Sequence, residues 1–359
     1  MVHRHLLTAA VLGLAGLAAA LISETSAAAE WGALELVGRE IPPGEKLKFP
    51  LIPDRSFEGS YLNMPVFAAR GSRPGASLCV TAGVHGDEMN GVEIARRVFA
   101  ETDPKKLAGT LIVLPAINAE GFRTGSRYLT DRRDLNRAFP GNPDGSVASV
   151  IANAVFKRII TECDALVDLH TGSNRRTNVP QIRVDLANEG AAELAKHFGV
   201  GYIVNGSGPK KSLRREAMDA GILAIIYEAG EPLRFQPQEI ARGAQGVVNV
   251  MAYLEMIKSA ESEVPESNIY RRGRWVRVGR QEGGFFFPEK KLGDEVAKGD
   301  VLGYVVDPLT DERHEIVAPF EGDIIGMAVP QVVLSGYGIF HLGLHDFEEP
   351  DKSTRADLR

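Results

Sequence analysis

Four stretches of this chain are apolar along almost their whole length and too short to be buried helices: "ASLCVTAGVH" at 76–85, "GTLIVLPAIN" at 109–118, "DALVDLHTG" at 164–172 and "GILAIIYEAG" at 221–230. A strand with apolar side chains on both faces must be covered on both faces, which is the condition of strands inside a parallel sheet. Helical patterns separate them. In "GVEIARRVFAET", Val92, Ile94, Ala95, Val98 and Phe99 recur at the spacing of one helix face, and "SVASVIANAVFKRIITEC" and "AAELAKHFGV" read the same way. The expected architecture is α/β, a mixed and mostly parallel sheet with helices on both faces.

The helical pattern ends with "EIARGAQGVVNVMAYLEMIKSAES". The polar segment "EVPESN" at 263–268, containing Pro265, reads as a linker. Beyond it come short strand patterns separated by turn signals, a small all-β module. Expected boundaries are 1–29 for a leader, 30–262 for the main domain, 263–345 for the β module and 346–359 for a charged tail.

The leader has Arg4 near its start, an apolar run from Leu6 to Ile22 and Ala27-Ala28-Ala29 as a small-residue cleavage site. That is the layout of a secretory signal peptide, with an uncleaved membrane anchor as the alternative. The expectation is a periplasmic or secreted protein with no membrane association once the leader is removed. A net charge of −6 argues against a nucleic-acid partner, which calls for a basic stripe. The two cysteines, Cys79 and Cys163, both sit in apolar runs and read first as small buried hydrophobes, although export permits a disulfide.

Polar groups interrupt the apolar runs at their carboxyl ends. The first run gives His85 and Glu88, the third His170 and the fourth Glu228. In open parallel sheets ligands bind beyond the carboxyl ends of the strands, so these residues belong to one rim. Two imidazoles and a carboxylate are the three-ligand set of a catalytic zinc, leaving one position open for water. Asp168, two residues before His170 and on the same strand face, is either structural or an orienting partner for an imidazole. A carboxylate outside the ligand set must move a proton to the leaving amine; Glu228 is preferred over Glu231 because it follows its strand directly. His197, His314, His341 and His345 read as surface or packing residues. The loop "GFRTGSRYLTDRRDLNRAFPG" carries five arginines. Arg132 and Arg133 suit solvent, whereas Asn136-Arg137 offers an amide beside a guanidinium, a pair suited to a terminal carboxylate.

In order, "GVHGDE", "RDLNRAFPG", "DLHTG" and "YEAG" resemble the motifs of the succinylglutamate desuccinylase/aspartoacylase family of zinc carboxypeptidase-like hydrolases. The resemblance implies one Zn2+ per chain held by His85, Glu88 and His170, with Glu228 activating water and Asn136 and Arg137 binding the substrate carboxylate. It also implies Arg127 as the carbonyl-polarising arginine. The segment "GGFFFP…LGDEVAKGDVLGYVVDP…APFEGDIIG" resembles a β-sandwich of the biotinyl/lipoyl-carrier type. Lys290, Lys291 and Lys298 lack the Met-Lys context of a modified lysine, so the module reads as structural or site-shaping. Tyr337, in "LSGYG", reads as a turn-packing residue, with reach into the active site from this domain as the alternative.

The combined expectation is a deacylase that cleaves the amide of a small anionic N-acyl amino acid, as a monomer or an oligomer. The alternatives are a zinc carboxypeptidase acting on short or cell-wall peptides, and a binding protein without catalysis.

Overall fold

The computed structural model describes residues 31–53, 63–258 and 266–345; the expected leader and charged tail lie outside these. The described residues from Gly32 onward form one compact unit. After a short antiparallel pair, Leu34–Leu36 with Arg39–Ile41, its principal strands and helices in chain order are β1 (Glu45–Leu51), β2 (Met64–Arg70), β3 (Arg73–Ala82), α1 (Met89–Glu101) and β4 (Ala108–Leu114). There follow α2 (Val147–Arg158), β5 (Ala165–His170), β6 (Arg176–Val184), α3 (Glu189–Phe198) and β7 (Tyr202–Asn205). The main domain closes with α4 (Leu213–Asp219), β8 (Leu223–Gly230) and α5 (Pro237–Tyr253).

The four apolar runs become β3, β4, β5 and β8, and they lie side by side and parallel in the order β8-β5-β3-β4. Antiparallel strands flank this centre, β2 and β1 beyond β4 and β6 beyond β8, so the sheet is mixed. Alternation sends successive side chains to opposite faces. Leu78, Val80 and Ala82 of β3 enter one core with Phe99 of α1, Leu194 of α3 and Val247 of α5. Cys79 enters the other, with Ile112, Ala152 of α2 and Leu213 of α4. Each fully buried Leu, Val or Phe contributes about 1.5–3 kcal/mol. Cys79 and Cys163 are both buried and form a disulfide, so they are not the free small hydrophobes of the first reading.

The C-terminal segment supplies β9 (Arg272–Arg277), β10 (Gly284–Pro288), β11 (Val301–Val306), β12 (Arg313–Val317), β13 (Gly322–Ala328) and β14 (Gly338–Leu344). The strands β12-β11-β10 form part of a separate antiparallel sheet over a core containing Phe286, Leu302 and Phe340. In contrast, β9-β14-β13 extends the main sheet, β13 pairing with β6 through Gly326↔Asn178 and Ala328↔Arg176. One continuous sheet therefore carries both the rim of the parallel centre and residues from the far end of the chain.

Candidate active site

The turn after β3 brings the first two polar residues inward. Gly86 packs so closely on the Gly121 backbone that a Cβ there would lie 1.9 Å from its carbonyl carbon, so only glycine lets the turn tuck in. His85 Nδ1 then lies 2.8 Å from Glu88 Oε1, and His170 Nδ1, at the end of β5, lies 2.7 Å from Glu88 Oε2. Ligand atoms of His85, Glu88 and His170 all fall within 4.8 Å of one another, and all three residues are buried.

The remaining ring nitrogens face carboxylates. His170 Nε2 is 2.8 Å from Asp168 Oδ2, and Asp168 in turn accepts from Thr81 Oγ1 at 2.7 Å. His85 Nε2 is 3.3 Å from Asp134 Oδ1, within ion-pair range though not aligned as a hydrogen bond. Carboxylates behind both imidazoles fix ring orientation and turn each Nδ1 to the common point, the arrangement a metal-ligating histidine needs.

The electrostatics agree. Burial pulls the His85 pKa down, but Glu88 and Asp134 outweigh it and raise the value; His170 is raised well above the ordinary value against the same burial penalty, by Asp168 and Glu88. Burial works to raise Glu88, yet the two imidazoles hold it far below the usual carboxylate range. Both imidazoles favour the anionic form of Glu88, and a divalent cation bound among them would act on it in the same direction. Two nitrogens and one carboxylate, converging with a side open to the cavity, fit zinc.

All seven candidate residues line one cavity of about 610 Å3: His85, Glu88, Arg127, Asn136, Arg137, His170 and Glu228. Glu228 stands opposite His170 in the β8–β5 register, its carboxylate accepting from Asn178 Nδ2 at 2.6 Å and lying 3.2 Å from Arg183 Nη1. Glu231 instead pairs with Arg234 at 2.8 Å and does not line the cavity. Arg127 donates to Asp134 at 2.9 Å and brings Nη1 to 3.7 Å from Glu88. Arg137 is exposed at the mouth, donating to the Asn136 carbonyl at 2.6 Å. Asn136 is buried and its Oδ1 accepts from Leu213 N at 2.8 Å, tying this loop to α4.

Several cavity residues were absent from the expectations. Asp134 bridges His85 and Arg127, and its position inside "RDLNR" was the available signal. Arg214, at the start of α4, is buried with Nε and Nη1 unpartnered, while Nη2 donates to the Gly206 carbonyl at 2.8 Å. Burial lowers its pKa to about 10 and Arg183 acts in the same direction. Arg176, Asn178 and Arg183 come from β6, and Trp275, Arg277 and His341 from the C-terminal segment. His341 does pack, stacked on Trp275, but it also faces the cavity. Tyr337 packs as expected, its hydroxyl donating to the Asn174 carbonyl.

The model of the succinylglutamate desuccinylase/aspartoacylase catalytic domain matches residues 74–254. The chain belongs to this family. Over 272 residues it is 28% identical to the N-alpha-acetyl-L-2,4-diaminobutyric acid deacetylase of Halomonas elongata, covering 73% of this chain and 79% of that protein. It is 28% identical over 204 residues to the succinylglutamate desuccinylase of Pseudomonas aeruginosa, spanning 54% of this chain and 55% of the relative. Among solved structures, the product-bound ectoine utilization protein EutE (DoeB) of Ruegeria pomeroyi superposes with a TM-score of 0.77 at 25% identity, covering 85% of this chain and 97% of the other. A succinylglutamate desuccinylase from Silicibacter sp. TM1040 gives the same TM-score at 22% identity, a likeness of fold.

Proposed function

We propose that the chain is a zinc-dependent amidohydrolase that removes the acyl group from a small N-acyl amino acid. The observation that carries this reading is the convergence of one ligand atom each from His85, Glu88 and His170 within 4.8 Å at the wall of a cavity sized for a small substrate. Family membership and the names of the two relatives support it.

His85, Glu88 and His170 would hold the ion, which supplies Lewis-acid polarisation of the scissile carbonyl and activates water for attack. Arg127, already aimed at the ligand cluster, donates to the carbonyl oxygen as it gains negative charge. Glu228 takes the proton from the attacking water and delivers it to the amide nitrogen as the acyl carbon–nitrogen bond breaks. A carboxylic acid and a free amine result. Asn178 and Arg183 fix the Glu228 carboxylate for this exchange. Asn136 and Arg137 bind the substrate carboxylate, and the unpartnered donors of Arg214 add to the same anion-binding field.

We place the protein in the periplasm or outside the cell. The buried Cys79–Cys163 disulfide supports an oxidising compartment, as does the layout of the leader. Among the described residues no helix is long and apolar enough to cross a membrane.

The test is a panel of acetyl-, formyl- and succinyl-amino acids assayed beside short peptides on zinc-loaded protein. Release of amino acid from the acyl compounds, with peptides at least tenfold slower, is the expected result. Preferential trimming of peptides would establish the carboxypeptidase reading instead.

A further inference from the structure

A carboxylate that takes a proton from water and returns it to an amine must be aimed as well as present. Glu228 is gripped at both oxygens: the buried Asn178 donates Nδ2 to Oε2 at 2.6 Å, and Arg183 Nη1 lies 3.2 Å from Oε1. A break in the ladder between β6 and β8 is what brings Asn178 there. These strands pair Ile226↔Arg183, Tyr227↔Ile182 and Glu228↔Gln181, and then Gly230↔Asn178. That is two steps on β8 (230 − 228 = 2) against three on β6 (181 − 178 = 3), so β6 carries one extra residue. The extra step falls at Val179-Pro180, where proline has no N–H to give the ladder. In an unbroken register Asn178 would stand opposite Glu231, three residues from Glu228 and so on the other face of the sheet. The bulge sets it opposite Gly230, two residues from Glu228 and on the same face.

The far side of β6 is held by the C-terminal module. Gly326 of β13 stands opposite Asn178, and a Cβ on it would lie 2.6 Å from Asn178 Oδ1. Bare backbone at this position therefore gives the amide oxygen its room while the amide N–H group faces Glu228. Gly326 does not line the cavity, so it reaches the reaction only through its neighbour.

We infer that Asn178 is a positioning residue for proton transfer by Glu228, and that the C-terminal module sets the rate of this step through Gly326. The inference rests on the functional reading above, in which Glu228 carries the proton. Asn178 touches the carboxylate and not the substrate, so its loss slows turnover without weakening binding.

The test measures kcat and KM separately for zinc-loaded wild type, Asn178→Ala, Asn178→Asp and Gly326→Ala, and for Asn178→Ala combined with Gly326→Ala or with Glu228→Gln. The substrate is whichever of the acetyl-, formyl- and succinyl-amino acids the wild type hydrolyses fastest. Asn178→Ala is expected to lower kcat about 10- to 100-fold, the scale of a reacting group misplaced by about an ångström, with KM within about threefold of wild type. Asn178→Asp keeps the shape but has no N–H, and should lose at least as much. Gly326→Ala should lower kcat about tenfold. Added to Asn178→Ala it should change kcat by no more than about twofold, because the amide it acts through is gone. Asn178→Ala should likewise add no more than about twofold to Glu228→Gln. An unchanged kcat in Asn178→Ala, a loss confined to KM, or single effects that multiply in either double variant would overturn the inference. If no acyl compound is hydrolysed, the functional reading falls and crystal structures decide the placement. A Glu228 carboxylate released from its wild-type position in Asn178→Ala and Gly326→Ala upholds it, and an undisturbed one overturns it. Melting temperatures show which variants fold. Asn178→Asp stands in for an Asn178→Ala that does not. A Gly326→Ala that folds only together with Asn178→Ala reports the same contact, and one that folds in neither background removes Gly326 from the inference.

Discussion

The rim of the parallel centre and the wall opposite it are built on different principles. His85, Glu88, His170 and Glu228 sit at or just beyond the ends of strands whose interiors are mostly apolar, so each polar group is held between two packed cores, and His170 and Glu228 are also neighbours in register. The opposite wall takes Arg176 from β6 and Trp275, Arg277 and His341 from a segment about a hundred residues later, held together by ring stacking and carbonyl contacts. Substitution on the rim is therefore expected to abolish chemistry, whereas substitution on the wall changes which substrate is preferred.

The largest expected effect that could break this contrast is on the rim. Glu228→Gln should lower kcat by 10²–10⁴-fold while zinc content and melting temperature stay near the wild-type values. A mutant retaining full activity would remove Glu228 from the chemistry. On the wall, Trp275→Ala withdraws one ring from Arg176 and its stack from His341. A drop of about tenfold in kcat/KM, with kcat nearly unchanged, is expected. An equal loss in kcat would show that the wall acts on chemistry as well as binding.

Beneath the rim, the disulfide ties β3, which leads to His85, to the segment entering β5, which leads to His170. Closing a loop of 84 residues limits the unfolded chain by an amount on the order of 4 kcal/mol. Cys79→Ser with Cys163→Ser, or reduction, should lower the melting temperature by roughly 5–10 °C. An unchanged melting temperature would show that strand packing alone holds the ligands in register.

The smallest effect concerns His341. Burial, with Arg183 and Arg176 nearby, lowers its pKa to about 3, so the folded protein keeps the ring neutral. The unfolded chain binds that proton below about pH 6.5, and stability is lost as pH falls from there toward 3. At pH 5 the cost is roughly 2 kcal/mol relative to pH 7. His341→Gln should flatten this part of the stability profile in pH-dependent urea melts, and an unaltered slope would refute it.

The same contrast explains what could be read in advance. The parallel centre was legible because continuous apolar runs have few other uses, and the candidate ligands stood out as polar residues that packing does not require. β6 was not legible as a strand. Its sequence "RTNVPQIRV" carries Pro180 and alternates with the polar residues that line the cavity, which removes the apolar signal. The buried Arg214 reads locally as an ordinary helix-start arginine behind the Ser212 cap; only the fold reveals its unpartnered donors. The stack of His341, Trp275, Arg176 and Tyr337 joins residues up to 165 positions apart, and no local pattern encodes such a juxtaposition.

The convergence of three side chains on one ion is tested most directly by metal analysis with zinc-edge X-ray absorption on purified wild type and the His85→Ala and His170→Ala variants. One zinc per wild-type chain, with two imidazole nitrogens among its ligands and stoichiometric binding lost in each variant, is the predicted result. A wild-type chain that takes up no zinc from a zinc-containing buffer, or variants that keep a full equivalent, would contradict it.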